Sequence, residues 1–332
     1  MQRYIIRRLI QGGIILFFLS ITVFLLLRIA PGADPAIIKC GLSCTDEKLA
    51  ALRDDLGLDN PYFPVDADLT NPPFVSFHAE SQYWRWVRGL FDGSLGRDWN
   101  GAPVANELKA RLPVTVELLI ITFLVTVAIG VPFGIISAVN RNSPSDYGAR
   151  FGAILGLAVP SFWVATLVIL IPIQYWDYAP PLTKTIAFMD SPWDNLRQFV
   201  PPAIVLGAAS AAGVMRLTRS SMLEVMRQDY IRTARSKGLR ERLVIGRHAL
   251  KNSIIPVVTV IGLQLVGLLG GAVIIESVFN LQGVGFYFLS ALVRKDYQVV
   301  QTLTIYIGVA VVLMNLAVDV LYAWLDPRIR YT

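Results

Sequence analysis

Six runs without a charged residue dominate the chain: Leu9 to Leu27, Leu118 to Asn140, Phe151 to Trp176, Gln198 to Met215, Asn252 to Ile275 and Tyr297 to Val318. The last continues past Asp319 to Leu325. A helix rising 1.5 Å per residue needs about 20 apolar residues to cross a hydrocarbon layer of about 30 Å. Inside lipid the backbone must satisfy its own hydrogen bonds, so such runs fold as helices. The expectation is an all-α polytopic membrane protein with six transmembrane helices. Composition agrees: of 332 residues 54% are hydrophobic and only 16% charged, which excludes a pair of soluble domains.

The net charge of +6 would suit nucleic acid, but the basic residues gather beside apolar runs and are not interleaved with stacking aromatics. The bilayer is therefore the expected partner, and no nucleic acid. With the amino terminus inside, 17 Lys and Arg fall on short cytoplasmic segments, against four (Lys184, Arg197, Arg294 and Lys295) on the two short external loops. Such an excess sets orientation, so both termini are expected to be cytoplasmic. The division that follows is a cytoplasmic start and first span over 1–29, an extracytoplasmic segment over 30–112, a five-helix core over 113–325 and a cytoplasmic tail over 326–332. The first apolar run also exceeds the usual core of a cleaved signal peptide.

Acids outnumber bases in the 30–112 segment, which carries short helices of its own. Thr45 as cap, Asp46 and Glu47 in the first turn, then Leu49, Leu52 and Leu56 before Gly57 describe one helix. Ser81 to Phe91, with Tyr83, Trp84, Trp86 and Val87, describes a second, whose aromatics suit a membrane–water boundary. Pro103 opens a third that leads to Pro113. Cys40 and Cys44, the only cysteines, are spaced for a small disulfide loop in an oxidising compartment and equally compatible with two free thiols.

Within the core, Pro132, Pro160 and Pro172 lie in or at the ends of apolar runs, where lipid-embedded neighbours tolerate kinks. The fourth run is the shortest and is rich in small residues from Gly207 to Gly213, which allow close backbone approach and place it inside the bundle. Between Arg216 and Lys251 stand ten Lys and Arg against three acids. Asp229 is placed to cap a short helix and Gly238 to end it. Tyr230, Ile231 and Ala234 then form a narrow apolar stripe beside Arg232 and Arg235. Charge alone is explained by orientation; the capped amphipathic turn reads as a docking element.

No Gly-Lys pair occurs, so the phosphate-binding pattern GxxxxGK[ST] is absent and energy for uphill transport has to come from another chain. The two histidines, His78 and His248, fall in no metal or nucleophile motif. No catalytic or metal-binding residue is expected, and no enzyme activity.

The stretch YIRTARSKGL followed by RHALKNSIIPVVTVIGLQL resembles the EAA-type loop of ABC importer permeases, in the dipeptide/oligopeptide/nickel branch. RRLIQGGIILFFLSITVFLLLRIAPGADPA, LGLDNPYF, GSLGRDW, GGAVIIESVFNLQGVG and VDVLYAWLDPRIRY resemble the same branch, so most of the chain is covered. Arg232, Thr233 and Ala234 replace the broader Glu-Ala-Ala, Leu250 and Lys251 replace Leu-Pro, and Pro64 to His78 interrupts the first loop. The resemblance implies a permease subunit in a prokaryotic inner membrane. Its implied partners are a second, similar permease, two ATPase subunits that bind ATP and magnesium, and an external solute-binding protein. It implies no cofactor in this chain and a cytoplasmic coupling loop over 216–253, in which Tyr230, Ile231, Arg232, Thr233, Ala234, Arg235, Lys237 and Gly238 meet the ATPases. Di- or oligopeptides are the expected solutes, with nickel chelates and oligosaccharides as alternatives.

Gln264, Glu276, Asn315 and Asp319 are polar members of the spans and are expected along the translocation path, because an ionisable group at membrane depth faces water or a partner. Structural hydrogen bonds near the run ends are the competing reading for Glu276 and Asp319. A self-contained secondary transporter or channel would need charges in mid-span and inverted halves, and the sequence shows neither.

Overall fold

The computed structural model describes residues 2–29, 34–41, 44–66, 76–78, 80–181 and 184–325. The 326–332 tail, with Arg328 and Arg330, and most of the interruption between Pro64 and His78 lie outside them. The described residues are overwhelmingly helical, with one two-residue antiparallel pairing of Val65–Asp66 with Ser76–Phe77. Five helices are long and apolar enough to cross a membrane, and a sixth span results when one bent pair is counted together.

In chain order these are α1 (Gln2–Ile29), then the short α2 (Pro35–Cys40), α3 (Asp46–Leu56) and α4 (Gln82–Phe91). After them come α5 (Val104–Val139), α6 (Pro144–Ala158), α7 (Ser161–Trp176), α8 (Pro192–Val225) and α9 (Asp229–Ser236). A helix of mixed geometry follows: α10 (Glu241–Leu243), a π turn (Val244–Ala249) and α11 (Leu250–Val278). The chain closes with α12 (Val284–Val293) and α13 (Tyr297–Leu325).

Three expected boundaries move. The helix opened by Pro103 does not stop at Pro113 but runs on as α5, with Pro113 and Pro132 both inside it. Each proline removes only one N–H from the ladder, which apolar surroundings tolerate. The Phe151 to Trp176 run is broken at Val159 and Pro160, where α6 and α7 meet at 102°. Val159 is extended (φ −91°, ψ 127°), as a residue before proline prefers. The short run from Gln198 is the middle of a 34-residue helix. Asn195 and Gln198 continue it backwards because their side chains bond the Pro181, Lys184 and Ile186 backbone at 2.7–3.0 Å.

The chain forms two compact units. One comprises 1–6, 113–286 and 311–332. Its centre is α8, the most buried span, which packs against α6 and α11. Small residues make the seams: a Cβ at Gly130 or Gly134 would meet Val214 or Thr218 at 2.6–2.8 Å. The apolar core here includes Leu118, Phe199, Leu206, Leu268, Ile275 and Leu281.

The other unit comprises 7–112 and 287–310. The first span thus packs with the loop that follows it and with the start of α13. Phe24 of α1 is buried among Phe63, Tyr83 and Trp86. Ser20 Oγ and Tyr83 Oη lie 2.8 Å apart, and Trp86 Nε1 donates to Thr302 Oγ1 at 3.2 Å. Tyr83 and Trp86, expected at a membrane–water boundary, are buried in the protein, because the face that carries them meets Phe24. Cys40 and Cys44 are joined, with Cα atoms 5.3 Å apart.

Candidate functional site

The segment between α8 and α11 is built around a short helix that is anchored on one face and bare on the other. Ile231 is fully buried and Ala234 nearly so, while Arg232, Thr233, Arg235, Ser236, Lys237 and Gly238 are exposed. Positions three apart share a helix face, so 231 and 234 point together into the protein. Their pocket is formed by Ala138 at the end of α5, Met222 near the end of α8, and Val244 and Ala249 of the π turn. Ile135, Met226, Ile245 and Leu250 pack around it. α9 is therefore packed against the ends of α5 and α8 and the π turn that leads into α11.

Details depart from the sequence expectation. Asp229 is not the cap: Gln228 occupies that position without a side-chain bond, and Asp229 is the first helical residue. Its carboxylate lies 3.5 Å from Arg232, both side chains being largely exposed. Tyr230 leaves the apolar stripe; it is 42% exposed and its hydroxyl accepts from Asn252 Nδ2 at 3.0 Å. The bulky phenol is turned to a polar neighbour, and the stripe narrows to two residues. Thr233 Oγ1 donates to the Asp229 carbonyl at 3.0 Å. Gly238 does end the element, at φ +77°, where its missing Cβ avoids a left-handed penalty.

Arg235 is not a free cation. Its Nη2 and Nε meet both oxygens of Glu241 at 2.6 and 3.2 Å, a bidentate pair that closes the turn from α9 into α10. The hydrogen bond to Glu241 holds the Arg235 guanidinium above its ordinary range. Arg232 and Lys237 remain as the outward cationic rim.

The four polar span residues do not form one site. Gln264 and Glu276 are about 18 Å apart along α11 at 1.5 Å per residue. Gln264 lies against Gly213, where an added Cβ would come within 2.7 Å of its Nε2. Asn315 is exposed and Asp319 partly buried, one turn apart on α13. Glu276 is fully buried, accepts from Thr115 Oγ1 at 2.6 Å and from the Phe286 N–H at 2.9 Å, and fits over Gly283. Its carboxylate fastens the turn after α11 to α5.

One constellation is not apparent from the sequence. Asp146, at the start of α6, is fully buried and forms a two-toothed pair with Arg219 of α8 at 2.8 and 2.9 Å. Ser137 of α5 adds a third bond at 2.5 Å. Three span ends are thus clamped beside the pocket that seats Ile231. Among the described residues no group of His, Cys, Asp and Glu is arranged to hold a metal ion.

Comparison with known proteins fits this architecture. The family described as binding-protein-dependent transport system inner membrane component matches residues 130–331, and its amino-terminal counterpart matches 1–67. The chain belongs to that family, the permeases of ABC importers. The permease is 35% identical to the oligopeptide transport system permease of Bacillus subtilis, over all of both chains. It is also 35% identical to the dipeptide transport system permease of Alkalihalophilus pseudofirmus, again over all of both. A crystal structure of an amino acid ABC transporter shares the fold at a TM-score of 0.53 and 13% identity, over 66% of this permease and 94% of that chain.

Proposed function

We propose that this permease carries di- or oligopeptides across a prokaryotic inner membrane, drawing on ATP hydrolysed by two separate ATPase subunits. A second, homologous permease and an external solute-binding protein complete the assembly. The chain itself holds no cofactor; ATP and magnesium belong to the ATPases. Both termini and the 216–253 loop face the cytoplasm, in keeping with the charge bias, and the segment after α1 faces outward. Relatives over the full length are named for peptides, which favours peptides over nickel or oligosaccharides as the solute.

The observation that carries the coupling is the two-faced α9. Ile231 and Ala234 are seated among the ends of α5, α8 and the π turn, and the opposite face is bare and cationic. In this reading Tyr230 and Asn252 steady the helix, and Arg235 with Glu241 stiffens its exit. Thr233 and Gly238 shape its ends. Arg232 and Lys237 meet acidic residues of the ATPase. Closure of the ATPase pair displaces α9 and switches access through the spans. Gln264, Asn315 and Asp319 are proposed along the path; Glu276 is not.

The test is reconstitution of the full complex in liposomes with Arg232→Glu and Lys237→Glu together. Expected are loss of ATP-driven peptide uptake and weakened co-purification of the ATPases, with normal insertion and melting of the permease. Uptake and co-purification at the unaltered level would overturn the docking role.

A further inference from the structure

α4 lies beside the membrane-crossing part of its unit and not above it. Tyr83 meets Ser20 and Phe24 of α1, and Trp86 meets Phe24 and Thr302 of α13. Val87 and Leu90 join the same cluster with Ile21 and Ile305. Ser20 stands seven residues before the end of the first apolar run at Leu27, and Thr302 five residues past the start of the last at Tyr297. At 1.5 Å per residue these contacts reach about 8–10 Å inside the two span ends. Gln82, at the start of α4, stays at the margin, where its Oε1 accepts from Arg28 Nε at 3.1 Å. A helix held at that height is level with the edge of the hydrocarbon and the headgroups beside it.

Its free side carries the residues that such a place suits. Positions three and four apart share a helix face, and here they are Trp84, Arg88 and Phe91. Phe91 is 87% exposed, and the exposed Arg88 holds its guanidinium 5.6 Å from the Trp84 ring centroid. α4 contains two arginines and no acid. Arg88 forms no ion pair among the described residues; Asp92, the next acid along the chain, serves as the C-cap, its N–H donating to the Arg88 carbonyl at 2.9 Å.

Over the same stretch α1 leaves Phe18 and Leu26 exposed, so the lipid-facing surface of the span continues onto α4. Helices that lie in an interface combine rings at the acyl boundary with a basic group among the phosphates. We infer that α4 docks on a phospholipid, with an acyl chain against Trp84 and Phe91 and the phosphate on the fork of Arg88. An anionic headgroup is preferred, because no acid of the protein neutralises that guanidinium. The inference needs only that α1 and α13 cross the bilayer; the orientation proposed above makes the leaflet the outer one.

The test uses the full-length permease in nanodiscs of phosphatidylglycerol and phosphatidylcholine, with Phe91→Cys as the one free thiol, since Cys40 and Cys44 are joined. A spin label there is expected to collide more often with oxygen than with a water-soluble nickel chelate, and a label on Asn100→Cys, in the exposed loop, to show the reverse. A fluorophore on the same Phe91→Cys thiol is expected to be quenched severalfold more by brominated phosphatidylglycerol than by brominated phosphatidylcholine. Arg88→Gln, a change at an exposed site, is expected to remove that difference with the melting temperature unaltered. A label at 91 as open to the nickel chelate as the label at 100 would put α4 in water, and one shielded from both reagents would put a protein on it. Equal quenching by the two lipids, or a preference that survives Arg88→Gln, would take the phosphate away from Arg88. Each of these results overturns the inference. No nucleotide or peptide enters the measurements, so such a failure leaves the coupling role of α9 untouched.

Discussion

Asp146 accepts bonds from Arg219, from Ser137 and from the Asn142 N–H while exposing no surface of its own. Truncating one member of such a pair strands the other charge, which typically costs about 3–5 kcal/mol. Arg219 keeps one-fifth of its side chain in contact with solvent, so the lower figure applies. Arg219→Met is expected to destabilise the permease by about 3 kcal/mol, and Asp146→Leu with Arg219→Met to recover most of that. Thermal melting in detergent decides, and a double variant no more stable than the single one would refute the clamp. In sequence this residue reads as part of a polar turn, because nothing local ties position 146 to position 219; helix packing does. Glu276 was legible as a costly charge near a span end, but whether it met water or Thr115 depended on a turn 10 residues further on.

At the scale of the element, α9 was legible in outline. The Ile231 and Ala234 spacing, the first-turn acid and Gly238 all act locally, and a local pattern is what sequence records. Its partners were not, since Met222, Ala138 and Val244 are brought together only by three converging spans. Neither was the Arg235–Glu241 pair, because Glu241 lies beyond the turn. Deleting the bulk of a buried isoleucine costs about 2–5 kcal/mol. Ile231→Ala is expected to loosen α9 alone, so that ATP hydrolysis by the assembled complex continues while peptide uptake falls severalfold. Parallel loss of both activities, or of neither, would contradict a helix that transmits force through its buried face. The break between α6 and α7 follows from Pro160, whereas the continuity of α5 through Pro113 does not: proline weakens a helix without dictating that it stop.

At the scale of the molecule, the apolar runs mark the five span-length helices and the bent pair of α6 and α7, and the family match agrees with the motifs spread along the chain. The partition into units was hidden, because bonds such as Trp99 N–H to Asp296 at 2.8 Å join residues almost two hundred positions apart. The sequence holds no nucleotide-binding loop, so the purified permease alone in liposomes is expected to accumulate no peptide against a gradient, with uptake appearing when ATPases, second permease and binding protein are supplied. Accumulation by the lone chain would place the energy source in the wrong subunit.

The wide turn at Val244–Ala249 fits one more residue into its circuit than the coil on either side. Were that turn to re-pair as ordinary α-helix, the same residues would turn the helix beyond it by about 100° more. Beyond it lies α11 with Gln264 and Glu276, and its own Val244 and Ala249 help to seat Ile231. If α9 is pushed as proposed, a register change at this turn would convert the push into a twist of α11, a motion that spin labels on α11 would report as rotation.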